Sequence, residues 1–234
     1  MTPEFARSIG DGYPDYVDDE LGYTYHAWEV ISASESRRHE QILHASPKEL
    51  SALKEELSPL TDLDRWAIAR RVLSGGDHGA YFELLEPVIN GDFDHPALHY
   101  PEILSDVARR RAESDDLAAG QELITRLEEV WPQFEEVIPL LRAKLLLVAG
   151  QPDEAHDGYT EALDGEERVD LLVETAEDFA QYDAYEIAHR WLNRARRVAE
   201  EIGDKASAVD IALLADSLPE IDELPPSDDA GDDE

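Results

Sequence analysis

The stretch "AGQPDEAHDGYTEALDG", Ala149 to Gly165, holds a turn followed by one amphipathic helix. Gly150 ends the apolar run that begins at Ile138, "IPLLRAKLLLV". Pro152 suits the first turn of the next helix, where its missing N–H would have had no partner. Ala155, Tyr159 and Ala162 follow at spacings of four and three, so all three share one helical face. Small side chains there, with Ala143 on the preceding helix, let two antiparallel helices approach closely while the aromatic fills the gap beside them. This one segment predicts a helical hairpin.

The same design recurs downstream. "VDLLVETAEDFAQYDAYEIAHRWLNRA" places Ala176 and Phe179 on a first helix, Asp183 at the break, and Ala188, Leu192 and Ala195 at four-then-three spacing. From Ala155 to Ala188 is 33 residues, close to the repeat length of a helix-pair array. The pattern resembles the tetratricopeptide repeat family over residues 136–200. Two earlier segments follow it more loosely. "PEILSDVARRRAESDDLAAGQELITRLEEVWP" offers Val107, then Ala119 and Leu123, but Arg126 stands where a small residue belongs. "LDRWAIARRVLSGGDHGAYFELLEP" offers Ile68, the Gly75–Gly76 break, Ala80 and Leu84, with Pro87 in place of the last small residue, and "NGDFDHP" reads as an insertion. The resemblance implies an all-α fold of antiparallel helix pairs stacked in a right-handed superhelix, with pairs near 61–90, 97–132, 136–165 and 168–202. An irregular helical bundle is the competing architecture.

Around this array the chain is punctuated differently. Residues 1–22 are rich in glycine, proline and acids and read as a flexible segment; the helical domain is expected over 23–218. A helix is expected from Tyr23 to about His44, and another after Ser46, with Pro47 in its first turn and Leu50, Leu53 and Leu57 on one face. Sustained polar–apolar alternation is missing, so essentially no β-sheet is expected. "DKASAVDIALLADSL", 204–218, reads as a capping helix. Residues 219–234, with eight acids and three prolines, read as a disordered tail.

Composition narrows the function. The 234 residues hold 55 acids against 20 lysines and arginines, a formal net charge of −35. Such a field repels phosphate backbones and anionic lipid, so neither nucleic acid nor membrane is an expected partner. Scarce lysine with abundant acid fits a salt-loaded cytoplasm, or simply a GC-rich genome with an acidic tail. There is no cysteine, which removes disulfide and thiolate chemistry. The first residues lack a basic and apolar leader pattern, so a cytoplasmic protein is expected.

Candidate sites are few. "DFDHPALHY" gathers Asp92, Asp94, His95 and His99, all able to ligate a metal, but Pro96 suggests a helix start for which Asp94 or His95 is the cap. A metal-assisted enzyme built there is one alternative function, and a structural subunit of a larger assembly is another. No nucleophile elbow, P-loop or dinucleotide fingerprint occurs, so no catalytic residue or cofactor is assigned. The family resemblance implies that first helices line a concave, ligand-binding face. Carried onto this chain, it selects Arg65, Arg111 and Lys144, with Leu104, Leu140 and Val173 as apolar floor. These cations either clamp a carboxylate of a bound peptide or offset neighbouring acids. Arg190, Arg194 and Arg197 share a face of a second helix and read as a solvated stripe. Tyr13, Tyr16, Tyr23, Tyr25 and Trp28 either cap the first pair or lie in the groove. The expected function is a non-catalytic scaffold that binds another protein or peptide.

Overall fold

The structure, a computed structural model, describes residues 16–18, 23–25, 33–95 and 98–219. Eleven α-helices and one antiparallel strand pair occur among the described residues. The chain divides into two compact units, one formed by Met1–Val107 with Arg126–Phe134, the other by Ala108–Thr125 with Glu135–Glu234.

In the first unit, β1 (Tyr16–Asp18) pairs with β2 (Tyr23–Tyr25), Tyr16 standing opposite Tyr25. Tyr23–Tyr25, expected to open a helix, instead belong to this short strand pair, while the described part of that expected helix, α1, covers Ala33–His44. The β-branched and aromatic residues of "YVD" and "YTY" suit extended backbone better than helix. Tyr13 and Trp28, by contrast, lie outside the described residues. Helix α2 (Pro47–Glu56) starts as its sequence requires, with Ser46 as N-cap and Glu49 Oε2 accepting from the Ser46 N–H at 2.7 Å. Leu50 and Leu57 of that face are buried.

Helices α3 (Asp62–Ser74) and α4 (His78–Ile89) form a packed pair, and α1 lies on α3. Their core holds Ile42, Trp66, Ile68, Tyr81, Leu85 and Val88. A charge pair is buried with it. Asp64 is 2 % exposed; it accepts from the Thr61 N–H at 2.9 Å and from Arg38 Nε at 3.3 Å, while Arg38 also donates to the Leu57 carbonyl at 2.7 Å. These hydrogen bonds to the Asp64 carboxylate, with Arg38 partly exposed, offset the cost of burying it. Arg38 thereby ties α1 to the α2–α3 connection.

Helices α5 (Tyr100–Glu113) and α6 (Leu117–Val130) contribute residues to both units. The second unit continues with α7 (Ile138–Val148), α8 (Pro152–Ala162), α9 (Val169–Gln181), α10 (Tyr185–Ile202) and α11 (Lys205–Ser217). Within it α7 packs on α8, α9 on α10 and α10 on α11. One core joins them, built from Ala143, Ala155, Tyr159, Phe179, Ala188 and Trp191 with their neighbours. Gly158 comes so close to α7 that an added Cβ would lie 3.1 Å from Ala143 Cβ. Gly120 of α6 approaches α5 closer still, its absent Cβ falling 2.7 Å from the Ala108 carbonyl oxygen. Ala143 and Ala155, the small residues of the expected contact, are buried in this core, while the two closest approaches fall at glycines outside the four-then-three spacing. Ala162, expected to share in that contact, is only half-buried.

One turn geometry repeats along the chain. Asp77, Asp116, Gln151, Ala184 and Asp204 donate their N–H to the carbonyls of Val72, Arg111, Leu146, Phe179 and Ala199, at 2.8 to 3.1 Å. Each donor follows a residue with positive φ: Gly76, Asp115, Gly150, Asp183 and Gly203. This six-to-one bond satisfies a carbonyl stranded at the helix end and reverses the chain within three residues. Asp77 and Asp204 then cap the next helix, accepting from the N–H groups of Ala80 and Ser207 at 2.9 and 3.1 Å. Among the described residues no helix is long and apolar enough to cross a membrane.

Candidate functional site

The first helices of the second unit's pairs share one polar strip. Lys144 of α7 places its Nζ 3.5 Å from Asp178 Oδ1 of α9, and Tyr159 of α8 donates its hydroxyl to Asp178 Oδ2 at 3.1 Å. At the end of α5, Arg109 and Arg110 approach the two oxygens of Glu113 at 2.7 and 3.2 Å. Tyr182, which closes α9, feels the charges of both groups. Burial chiefly, and then the Glu113 and Asp178 carboxylates, raise its phenol pKa against the opposing pull of Arg109 and Lys144. The strip stays accessible: side chains of Arg109, Lys144 and Asp178 are 34 %, 25 % and 22 % exposed. Its charged groups are of both signs, and Tyr159 anchors one of them by its hydrogen bond to Asp178. Such a surface has donors and acceptors for a partner's charged groups, but no activated nucleophile and no proton-transfer pair is apparent in its geometry.

The residues selected from the sequence are placed unevenly. Lys144 belongs to the strip, whereas Arg111 meets Asp116 at 3.6 Å in the α5–α6 turn; Arg109, two residues earlier, is the one whose charge reaches Tyr182. Arg65 lies in the first unit, half-buried on α3. Leu104 is corrected outright, because it is fully buried and offers no floor to a ligand. Leu140 and Val173 are half-buried against the core of the second unit. Glu113, Asp178 and Tyr182 escaped the sequence reading. An Arg109–Glu113 pair at i, i+4 is legible there; the Lys144–Asp178 pair is not, because it needs α7 and α9 to be neighbours.

"DFDHPALHY" is dispersed rather than gathered. Asp92 and Asp94 are exposed, and His95 Nε2 sits 3.0 Å from Glu35 Oε1 of α1. His99 is buried, its pKa pushed down to about 4 by that burial, so its 3.9 Å contact with Glu102 joins a neutral ring to a carboxylate at neutral pH. Among the described residues no group of three histidines or acids is placed to hold a metal ion. Helix α5 covers Tyr100–Glu113, and Pro96, where a helix start was expected, lies outside the described residues. The insertion has its own anchor. Phe93, at φ 55°, packs its ring against Tyr100 and Trp131 at 5.0 and 5.1 Å. Arg126 lies over the Phe93 ring at 4.8 Å and donates to Asn90 Oδ1 at 3.1 Å. The residue that breaks the small-residue pattern is thus the one that fastens the insertion.

On α10, Arg190 pairs with Glu186 on the surface as expected. Arg194 differs: it donates to the Leu163 carbonyl and covers the Trp191 ring at 5.1 Å. Trp191 in turn donates its indole N–H to His156 Nδ1 at 3.1 Å, which places the His156 proton on Nε2. These are packing roles. Comparison with protein families, with curated proteins and with solved structures finds no match for this chain.

Proposed function

We propose that the chain is a non-catalytic adaptor of the tetratricopeptide-repeat type, which holds a peptide segment of another protein against the first-helix face of its second unit. The observation that carries this reading is the strip itself. Three first helices in succession, α5, α7 and α9, supply Arg109, Lys144 and Asp178 to one half-exposed surface. Further support comes from the rigid helix pairs behind it, since a preorganised receptor loses little entropy when a peptide docks. The assignment of that face to binding rests on analogy with helix-pair arrays.

The test is selection of random linear peptides displayed on phage, first against the full chain and then against Arg109→Ala/Lys144→Ala. Peptides are expected to be enriched on the parent and to bind the variant at least tenfold more weakly. Both protein forms should melt within about 2 °C of each other, because exposed ion pairs contribute little to stability. Enriched peptides that bind both forms equally would place the binding face elsewhere.

A further inference from the structure

A helix that ends a stack of pairs is expected to turn a polar face outward. Helix α11 does the reverse. Its inner side buries Ile211 and packs Ala208, Leu214 and Ala215 against the second unit's core. On its outer side Val209 and Leu213, one turn apart, are 59 % and 64 % exposed. Ala206 continues the same stripe, and Ile202 at the end of α10 is exposed as well. Large aliphatic side chains grouped on one helix face mark a contact surface rather than a solvated one.

We propose that this outer face of α11 receives a second copy of the chain, the two α11 helices lying antiparallel about a two-fold axis. The charges select that partner. Lys205 stands at one end of the stripe and Asp216 at the other, both exposed. An antiparallel copy centred near Ile211 sets Val209 against Leu213 of the second copy, and brings each Lys205 beside an Asp216. A self-complementary patch of this kind is what a two-fold interface requires. The chain's own acidic end is a poor occupant. Residues 220–234 hold eight acids and no basic residue, and they would add to Asp210 and Asp216 around the stripe. Pro219 also leaves α11 towards α10, its carbonyl 3.0 Å from His189 Nε2. Three aliphatic side chains cover less than the roughly 800 Å² a side of a standard interface, so the dimer is weak, with Kd in the micromolar to millimolar range. A net charge of −35 on each copy opposes association until salt screens it.

Sedimentation equilibrium of the full chain, from about 10 μM to about 1 mM, tests this at about 0.1 M and about 1 M potassium chloride. The mass should climb towards that of a dimer with concentration, with Kd at least tenfold lower at high salt. Leu213→Glu should stay monomeric while melting like the parent, since the side chain is exposed. Lys205→Asp should raise Kd about tenfold, and Lys205→Asp/Asp216→Lys should restore it. A parent that is monomeric throughout overturns the proposal and leaves the face to a different protein. So does a Leu213→Glu variant that dimerises like the parent. A double reversal without recovery overturns the antiparallel arrangement.

Discussion

At the turn that ends each first helix, one residue adopts left-handed backbone, and the chain fills the position with Gly76, Asp115, Gly150 and Asp183. Glycine does so without strain, and aspartate is among the few side chains that tolerate it. Gly150 and the Gly75–Gly76 break are therefore legible in sequence, because the requirement is local. The buried histidines are not. His39 is 2 % exposed, and burial holds its pKa down to about 3 despite the nearby Asp64 carboxylate; His99 is held near 4. Both folded values lie below the ordinary 6.5, so each ring binds a proton in the unfolded chain before it does in the folded one. Their contribution to stability is complete above about pH 6.5 and is lost as pH falls below it, by up to ~1.4 kcal/mol per pH unit for each ring. Urea titrations between about pH 5 and 6.5 should show this loss, and His39→Gln/His99→Gln should flatten it. An equal slope in the double variant would mean that both rings take up protons while folded.

At the scale of the element, four-then-three spacing identifies which residues meet another helix but not which partner each one meets. Ala143 finds Gly158, a residue with no place in the spacing, while Gly120 rather than an alanine sets the approach of α6 to α5. The two glycines make a discriminating pair. Alanine is worth up to ~1 kcal/mol more than glycine inside a helix. At Gly158 the new methyl meets another methyl at 3.1 Å, a contact that a small shift relieves, so Gly158→Ala should be near neutral. At Gly120 it meets a backbone carbonyl at 2.7 Å, and helix α5 itself must move. Gly120→Ala should therefore cost ~1–3 kcal/mol, read as a lower melting temperature. Equal melting of the two variants would show that α5 and α6 yield easily. The helix expected from Tyr23 to His44 is present over Ala33–His44, but its expected start is a strand: "YTY" has the composition of one, and only a paired "YVD" reveals it.

For the whole molecule the governing quantity is a net charge of −35. Ion pairs such as Arg109–Glu113 and Lys144–Asp178 engage only a fraction of the 55 acids, and the unfolded chain spreads the remainder further apart than the folded one does. Salt screens that repulsion. The melting temperature should rise monotonically from about 0.05 M to about 2 M potassium chloride; a flat or falling profile would mean that carboxylate repulsion does not limit stability. Charge, helix pairs and turn residues are written in the sequence because composition and contacts within about six residues decide them. The strip and the α11 face are not. A helix turns about 100° per residue, so two positions, Arg109 against Arg111, separate a strip residue from a turn residue, and the same rotation hides Leu104. The bond between His95 and Glu35 spans 60 residues, and that between Arg126 and Asn90 spans 36. Only packing between segments that distant sets the final rotation of each helix, and with it which side chains face a partner.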